Sequence, residues 1–105
     1  MEINGMISND TSDNFIWVFT GHTPSGPADF PCGVFRTIKL AESYIQKYKL
    51  SGTLTKYPVG TLVYDYVITQ GWWKPKLDYQ REPRFIQRFS SAYFEHYHYE
   101  NGHEY

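Results

Sequence analysis

The sequence contains a single cysteine, Cys32, so no disulfide can form within the chain. It has no apolar run near the roughly 18 residues that a membrane-spanning helix needs. Residues 1–14, MEINGMISNDTSDN, lack the basic start and apolar core of a secretory signal. These absences predict a protein of a reducing compartment, and we expect a cytoplasmic location without membrane binding.

Signatures of common catalytic sites are also missing. The stretch GHTPSGPADF, residues 21–30, contains glycines but lacks the Lys-Ser/Thr ending of a phosphate-binding loop. Cys32 lies in FPCGVF, where no neighbouring side chain can act as a base and activate the thiol. We therefore predict no catalytic residue and no cofactor.

Aromatic residues are abundant: the chain has ten Tyr, seven Phe and three Trp, which is 19% of its 105 residues. So much large apolar area favours a folded domain. Charge is segregated, because residues 1–35 carry four acids and no Lys or Arg, and residues 36–88 carry all ten Lys and Arg against four acids. Residues 89–105 carry three further acids. We expect the two acidic ends to lie side by side and to form one negative surface.

The hydrophobic pattern predicts one α+β domain over residues 15–105, after a flexible lead-in at residues 1–14. Short strands are predicted at residues 15–19, 33–37, 53–57 and within 91–100. Helices are predicted at residues 38–48 after the cap Thr37, at 61–71, and from Pro83. The expected fold is a small, mostly antiparallel sheet with two to three helices packed on one face.

Each predicted helix has an apolar stripe that we expect to be buried. The stripes are Ile38, Ala41, Tyr44, Ile45 and Tyr48 on the first helix, Leu62, Val63, Tyr66 and Val67 on the second, and Phe85, Ile86 and Phe89 on the third. On the first helix the polar residues Lys39, Glu42, Gln46, Lys47 and Lys49 are expected to face outward.

The C-terminal segment SAYFEHYHYENGHEY contains three of the four His, four of the ten Tyr and three of the eleven acids. Alternation along a strand places Tyr93, Glu95, Tyr97 and Tyr99 on one side and Phe94, His96, His98 and Glu100 on the other. A His-x-His pair with a carboxylate can bind zinc, so a metal-dependent enzyme built on His96, His98 and Glu100 is one alternative. A structural zinc site needs four good ligands, and we predict no bound metal.

A second alternative is a nucleic-acid-binding domain. The basic and aromatic segment 72–89 contains Trp72, Trp73, Lys74, Lys76, Tyr79, Arg81, Arg84 and Arg88. Such a stripe can stack bases and pair phosphates. The net charge of the chain, −1, argues against binding driven by counterion release, so direct nucleic-acid binding is disfavoured.

Protein binding accounts for more of these features. Tyr, Trp and Arg are the residue types that anchor interfaces, and acidic groups steer a basic partner into place. We predict a non-catalytic protein-binding surface that contacts a basic partner protein. The predicted contact residues are Glu95, Tyr97, Tyr99, Glu100, Glu104, Asp10 and Asp13.

Several segments resemble a family of small bacterial proteins of uncharacterised function, over residues 15–102. These segments are IWVF (16–19), GVF (33–35), SGTLTKYPV (51–59), VYDY (63–66), GWWKPK (71–76) and FIQRFSSAYFEHYHYENG (85–102). The family implies no catalytic residue. In size and acidic character the chain is also similar to immunity proteins of toxin–immunity pairs, including those of contact-dependent growth inhibition. That similarity implies tight one-to-one binding of a cognate toxin, such as a nuclease, with acids standing in for phosphates.

Overall fold

The computed structural model describes residues 14–23 and 29–105. Its strands are β1 (Phe15–Gly21), β2 (Pro31–Phe35), β3 (Gly52–Pro58), β4 (His96–Glu100) and β5 (His103–Glu104). Its helices are α1 (Ile38–Tyr48), α2 (Val63–Thr69), α3 (Pro83–Ile86) and a 3-10 helix at Asp78–Arg81. The predicted α+β class is confirmed. The predicted lead-in lies outside the described residues, apart from Asn14.

The five strands form one antiparallel sheet in the order β2-β1-β3-β4-β5. β1 pairs with β3 along its whole length, from Phe15 opposite Pro58 to Gly21 opposite Gly52. Tyr99 of β4 also lies opposite Gly52, so the β4–β5 hairpin lies toward the Gly21 end. The described start of the chain therefore lies at the other end of the sheet, roughly 20 Å away along a seven-residue strand. The acids Glu2, Asp10 and Asp13 lie outside the described residues, so the expected meeting of the two acidic ends stays a prediction.

Helix α1 covers one face of the sheet and completes the main core. Thr37 caps it, because the Leu40 amide donates to the Thr37 hydroxyl at 3.1 Å. Of the predicted stripe, Ala41 and Ile45 are fully buried, whereas Tyr44 and Tyr48 are 45% and 61% exposed. The stripe is narrower than predicted because Tyr44 lies against Phe35 of the edge strand β2 and Tyr48 ends the helix. The strands contribute the remaining core residues Trp17, Phe19, Leu54 and Tyr99.

Helices α2 and α3 pack in a second cluster that is largely aromatic, rather than beside α1 in the main core. Tyr64 is its centre: the ring contacts Trp73, Phe85 and Phe89 edge-on, and the hydroxyl donates to the Gln80 carbonyl at 2.7 Å. The predicted buried face of α2 is partly wrong, since Leu62 is 56% exposed. Leu62 precedes the helix in an extended conformation, which turns Tyr64 inward together with Val67.

The second cluster joins the sheet at the end where β3 finishes. Phe94 is 4% exposed and packs against Tyr57 of β3, Tyr66 of α2 and Trp72. This contact fixes the chain immediately before β4, and so sets where the C-terminal hairpin begins. None of the helices in the described residues combines the length and apolar character needed to cross a membrane.

Candidate functional site

The C-terminal hairpin is closed by a two-residue turn that is seated on α1. Asn101 and Gly102 both have positive φ, 53° and 87°, as the type I′ turn between tightly paired strands requires. The Gly102 amide donates to the Leu50 carbonyl at 2.8 Å, and the Asn101 amide donates to the Ser51 hydroxyl at 2.9 Å. A side chain on Gly102 would lie about 3.1 Å from the backbone of Lys49. The hairpin is therefore held in a fixed position against the end of the helix.

On the helix side of the hairpin, three carboxylates surround two tyrosine hydroxyls. Tyr99 donates to Glu42 of α1 at 2.7 Å, and Tyr97 donates to Glu95. Glu104 is paired with Tyr99 across the hairpin, so its side chain projects on the same side. We call Glu42, Glu95 and Glu104 the acidic cluster.

The acidic cluster contributes to raised pKa values of the two tyrosines beside it. Burial, the hydrogen bond to Glu42 and the negative charges nearby raise the pKa of Tyr99 far above its ordinary value. The hydrogen bond to Glu95, together with burial and the charges of Glu95, Glu104 and Glu42, raises the pKa of Tyr97. Both shifts reflect environments that oppose a further negative charge.

None of the described lysines forms an ion pair within 4.0 Å with the acidic cluster, and neither do Arg81, Arg84 and Arg88. Lys56 lies on the neighbouring strand, with its amide bonded to the Glu95 carbonyl. Its ammonium group instead faces aromatic rings, 4.9 Å from the Phe15 centroid and 5.9 Å from that of Trp17. The negative charge of the cluster is thus available to an external partner.

The structure brings together some of the predicted contact residues and separates others. Glu95 and Glu104 are exposed, and the half-buried ring of Tyr97 lies 6.0 Å from that of Trp17. Glu100 is exposed on the opposite side of the hairpin. Asp10 and Asp13 lie outside the described residues.

Tyr99 was predicted as a contact residue, and the structure corrects this placement. Its side chain is 3% exposed and packs edge-on against Phe19, because this side of β4 faces α1. Strand alternation identifies which residues share a side, but it does not say which side a helix will cover. Alternation also fails before β4: Tyr93 precedes the strand and contacts Trp72 instead.

Glu42 is the site residue that the sequence pattern missed. The outward-facing prediction placed it in solvent, but it is half-buried and accepts the Tyr99 hydrogen bond. The sequence contained one signal that could have predicted partial burial of Glu42. This residue adjoins the buried Ala41 and Ile45 at the edge of the helical stripe.

The opposite side of the hairpin carries the histidines of the metal-site alternative. His96 Nδ1 is bonded to the Phe94 carbonyl at 2.7 Å, and His98 Nδ1 lies 3.3 Å from the Thr53 hydroxyl. Their rings meet edge-on with centroids 5.2 Å apart. In the part of the chain that the structure describes, no three His, Cys, Asp or Glu side chains are grouped to hold a metal ion.

This side also borders a cleft of about 610 Å³ at the end of the sheet, lined by His98, Glu100, Tyr105 and His22 among others. His22 Nδ1 lies 3.0 Å from a carboxylate oxygen of Asp29. One acid of the N-terminal region, Asp29, therefore does reach the hairpin end of the sheet.

The raised tyrosine pKa values predict how the protein responds to alkali. Because the folded-state pKa of Tyr99 lies above its ordinary value of 10.0, the stability that this shift contributes is complete below that pH. It is lost as the pH rises further, so the free energy of unfolding should fall in strong alkali. Ultraviolet absorbance of tyrosinate, compared between the wild type and Tyr99→Phe, should show Tyr99 ionising after the exposed tyrosines.

Substitutions in the acidic cluster test which groups raise the pKa of each tyrosine. Glu42→Gln should lower the pKa of Tyr99 only in part, because burial is the larger cause, and Glu95→Gln should lower that of Tyr97. Glu100→Gln is the control, because Glu100 lies on the other side of β4. An equal shift in the control variant would mean that the acidic cluster is not the source.

Comparison with known proteins identifies a family but no activity. A family described as "Domain of unknown function (DUF7710)" matches residues 16–105, so the chain belongs to that family. The resemblance over residues 15–102 to a family of uncharacterised function is confirmed at this level. No curated protein and no solved structure matches the chain.

Proposed function

We propose that this member of the DUF7710 family is a non-catalytic protein-binding domain that docks a basic partner on its C-terminal hairpin. The observation that carries the proposal is the acidic cluster, whose three carboxylates have no ion-pair partner among the described lysines. Surface carboxylates of this kind accelerate the encounter with a positive protein and disfavour negative ones.

Tyr97 supplies an anchor beside these charges. Its ring packs on Trp17 and its hydroxyl is bonded to Glu95, so few rotamers remain to be lost on binding. Tyrosines fixed in this way are common among the residues that carry most of the binding energy at interfaces. Charge would then set the rate of association, and Tyr97 would contribute to the lifetime of the complex.

The edge of the sheet offers a third element of recognition. β5 pairs with Tyr99 and Glu100, and the Tyr105 amide donates to the His98 carbonyl at 3.0 Å. No described strand covers the outer side of β4 before that point. A partner can therefore extend the sheet beside His96 while its basic groups meet the acidic cluster.

More specifically, we propose that the partner is a bacterial toxin and that this domain is its immunity protein in the cytoplasm. A nuclease toxin has a basic groove for phosphates, and carboxylates can occupy the same groove. The similarity in size and acidic character supports this form, and the acidic cluster supports the choice of a basic partner. The domain would inhibit by covering the active site.

The partner can be identified by site-specific crosslinking. A photoreactive amino acid in place of Tyr97 should capture a basic protein in cells of the source organism. The same group in place of Tyr48, which is 61% exposed on α1, is the control. Capture of one protein equally from both positions, or of an acidic protein from position 97, would contradict the proposed docking site.

The binding rate then tests the role of charge. Against the captured partner, Glu42→Gln/Glu95→Gln/Glu104→Gln should reduce the association rate constant about tenfold or more at low salt, and much less at high salt. The control is Asp65→Asn/Asp78→Asn/Glu82→Gln, which removes three charges elsewhere. If both triple variants slow association equally, only the net charge matters and the acidic cluster is not the docking site.

A further inference from the structure

The second cluster contains a cavity that the docking proposal does not use. It has a volume of about 650 Å³, within the range of small-molecule sites, and opens beside α3 and the 3-10 helix. The residues that line it include Tyr79, Glu82, Arg84, Phe85, Arg88 and Phe89. It therefore combines aromatic rings with two positive charges.

The aromatic part of this cavity is rigidly supported. The ring of Trp73 stacks on Phe85 at an interplanar angle of 19°, and its centroid lies 4.8 Å from that of Phe89. Tyr79 adds an outer ring, edge-on to Phe85 with centroids 5.7 Å apart, and is 54% exposed. A flat ligand can thus meet aromatic surface already held in place by neighbouring rings.

The two arginines of the cavity are free to bind an anion. Arg84 and Arg88 are four positions apart, and the guanidinium group of neither has an ion pair or hydrogen bond within the described residues. Arg81 differs, because its guanidinium donates to the Leu77 and Pro75 carbonyls at 3.4 and 3.3 Å. The planar guanidinium group matches phosphate oxygens in a bidentate arrangement, so an unused pair suits phosphate.

We propose that this cavity binds a nucleotide unit. The base stacks on the exposed ring of Tyr79 and meets Phe85 edge-on, since these two rings are nearly perpendicular. The phosphate accepts hydrogen bonds from Arg84 and Arg88. Glu82, the carboxylate of the lining, accepts from a sugar hydroxyl or a base amino group. A free nucleotide and a single strand share this chemistry. The site has the opposite charge to the acidic cluster and is independent of protein docking.

Direct titration tests the proposal with two probes, adenosine monophosphate and a fluorescein-labelled oligothymidylate, at low salt. The variant Arg84→Gln/Arg88→Gln should weaken binding at least about tenfold, because it removes two charged hydrogen-bond donors. The control Lys39→Gln/Lys47→Gln removes two charges from α1 and should leave affinity within about twofold. Tyr79→Ala should weaken binding without changing charge, and circular dichroism checks that each variant is folded.

The two probes distinguish the sources of the nucleotide unit. Binding of both with similar affinity indicates a free nucleotide, whereas binding of the oligonucleotide alone indicates a single strand. In the second case, two phosphate contacts give a slope of about −1.4 for log K against log salt concentration. Three results would overturn the proposal. Neither probe binds, the α1 control loses as much affinity as Arg84→Gln/Arg88→Gln, or an acidic tyrosine-containing peptide binds where both nucleotide probes fail.

Discussion

Replacing Gly52 with alanine is expected to reduce the free energy of unfolding by about 4 kcal/mol, the combined cost of backbone strain and overpacking. Gly52 has a φ of +158° and begins β3 opposite Gly21 of β1. An added Cβ would overlap the Thr20 carbonyl oxygen and would lie 2.8 Å from Cζ of Phe19. The carbonyl belongs to β1, which is paired with a strand on each side, so it cannot move aside without breaking the ladder.

Gly60→Ala is the matched control for this experiment. Gly60 also has a positive φ, +86°, but an added Cβ would meet nothing within 4 Å. Its replacement should cost about 1 kcal/mol, the penalty for an ordinary residue in the left-handed region. Urea denaturation of both variants measures the difference. Equal losses would show that the close approach of β1 to β3 at Gly52 is relieved more easily than the structure implies.

Phe19→Ala should destabilise the fold by about 3–5 kcal/mol. Phe19 is 2% exposed, belongs to the interior strand β1, and touches Tyr99 of the hairpin, so truncation leaves a cavity in the main core next to the hairpin. Val34→Ala on the edge strand β2 is the control, because Val34 is 63% exposed and its loss should change stability by less than about 0.5 kcal/mol.

A second measurement connects Phe19 to the candidate site. Burial is the main reason that the pKa of Tyr99 is raised, so water entering the cavity in Phe19→Ala should lower that pKa toward its ordinary value. An unchanged Tyr99 titration in a destabilised variant would mean that the site is held by α1 and Glu42 rather than by β1.

The elements with strong local signals could be predicted from the sequence. Helix α1 begins after its cap Thr37 as predicted, because a hydroxyl cap and a regular apolar spacing act within a few residues of one another. Strands β1 and β3 were located within two residues of their observed ends, since Gly and Pro bound them. The 3-10 helix at Asp78–Arg81 was missed, because short 3-10 turns have little periodicity to detect.

The candidate site was harder to predict because it depends on contacts between distant residues. The hydrogen bond from Tyr99 to Glu42 joins positions 57 residues apart, and no local pattern encodes it. Tyr97 and Tyr99 share the side of β4 that faces α1, but only Tyr99 is buried there, and alternation along the strand does not predict that difference. Segregated charge did indicate an acidic surface, but it did not indicate that Glu42 of the basic middle segment would lie beside the C-terminal acids.

The strand order has a consequence for the time at which the acidic surface forms. β1, β2, α1 and β3 are consecutive, whereas the pairing of β3 with β4 must close the long connection through α2 and α3. The entropy of loop closure makes this the costly contact, so we expect it to form late in folding. A partially folded chain would hold Glu42 without Glu95 and Glu104 beside it, so the proposed docking surface would not yet be complete.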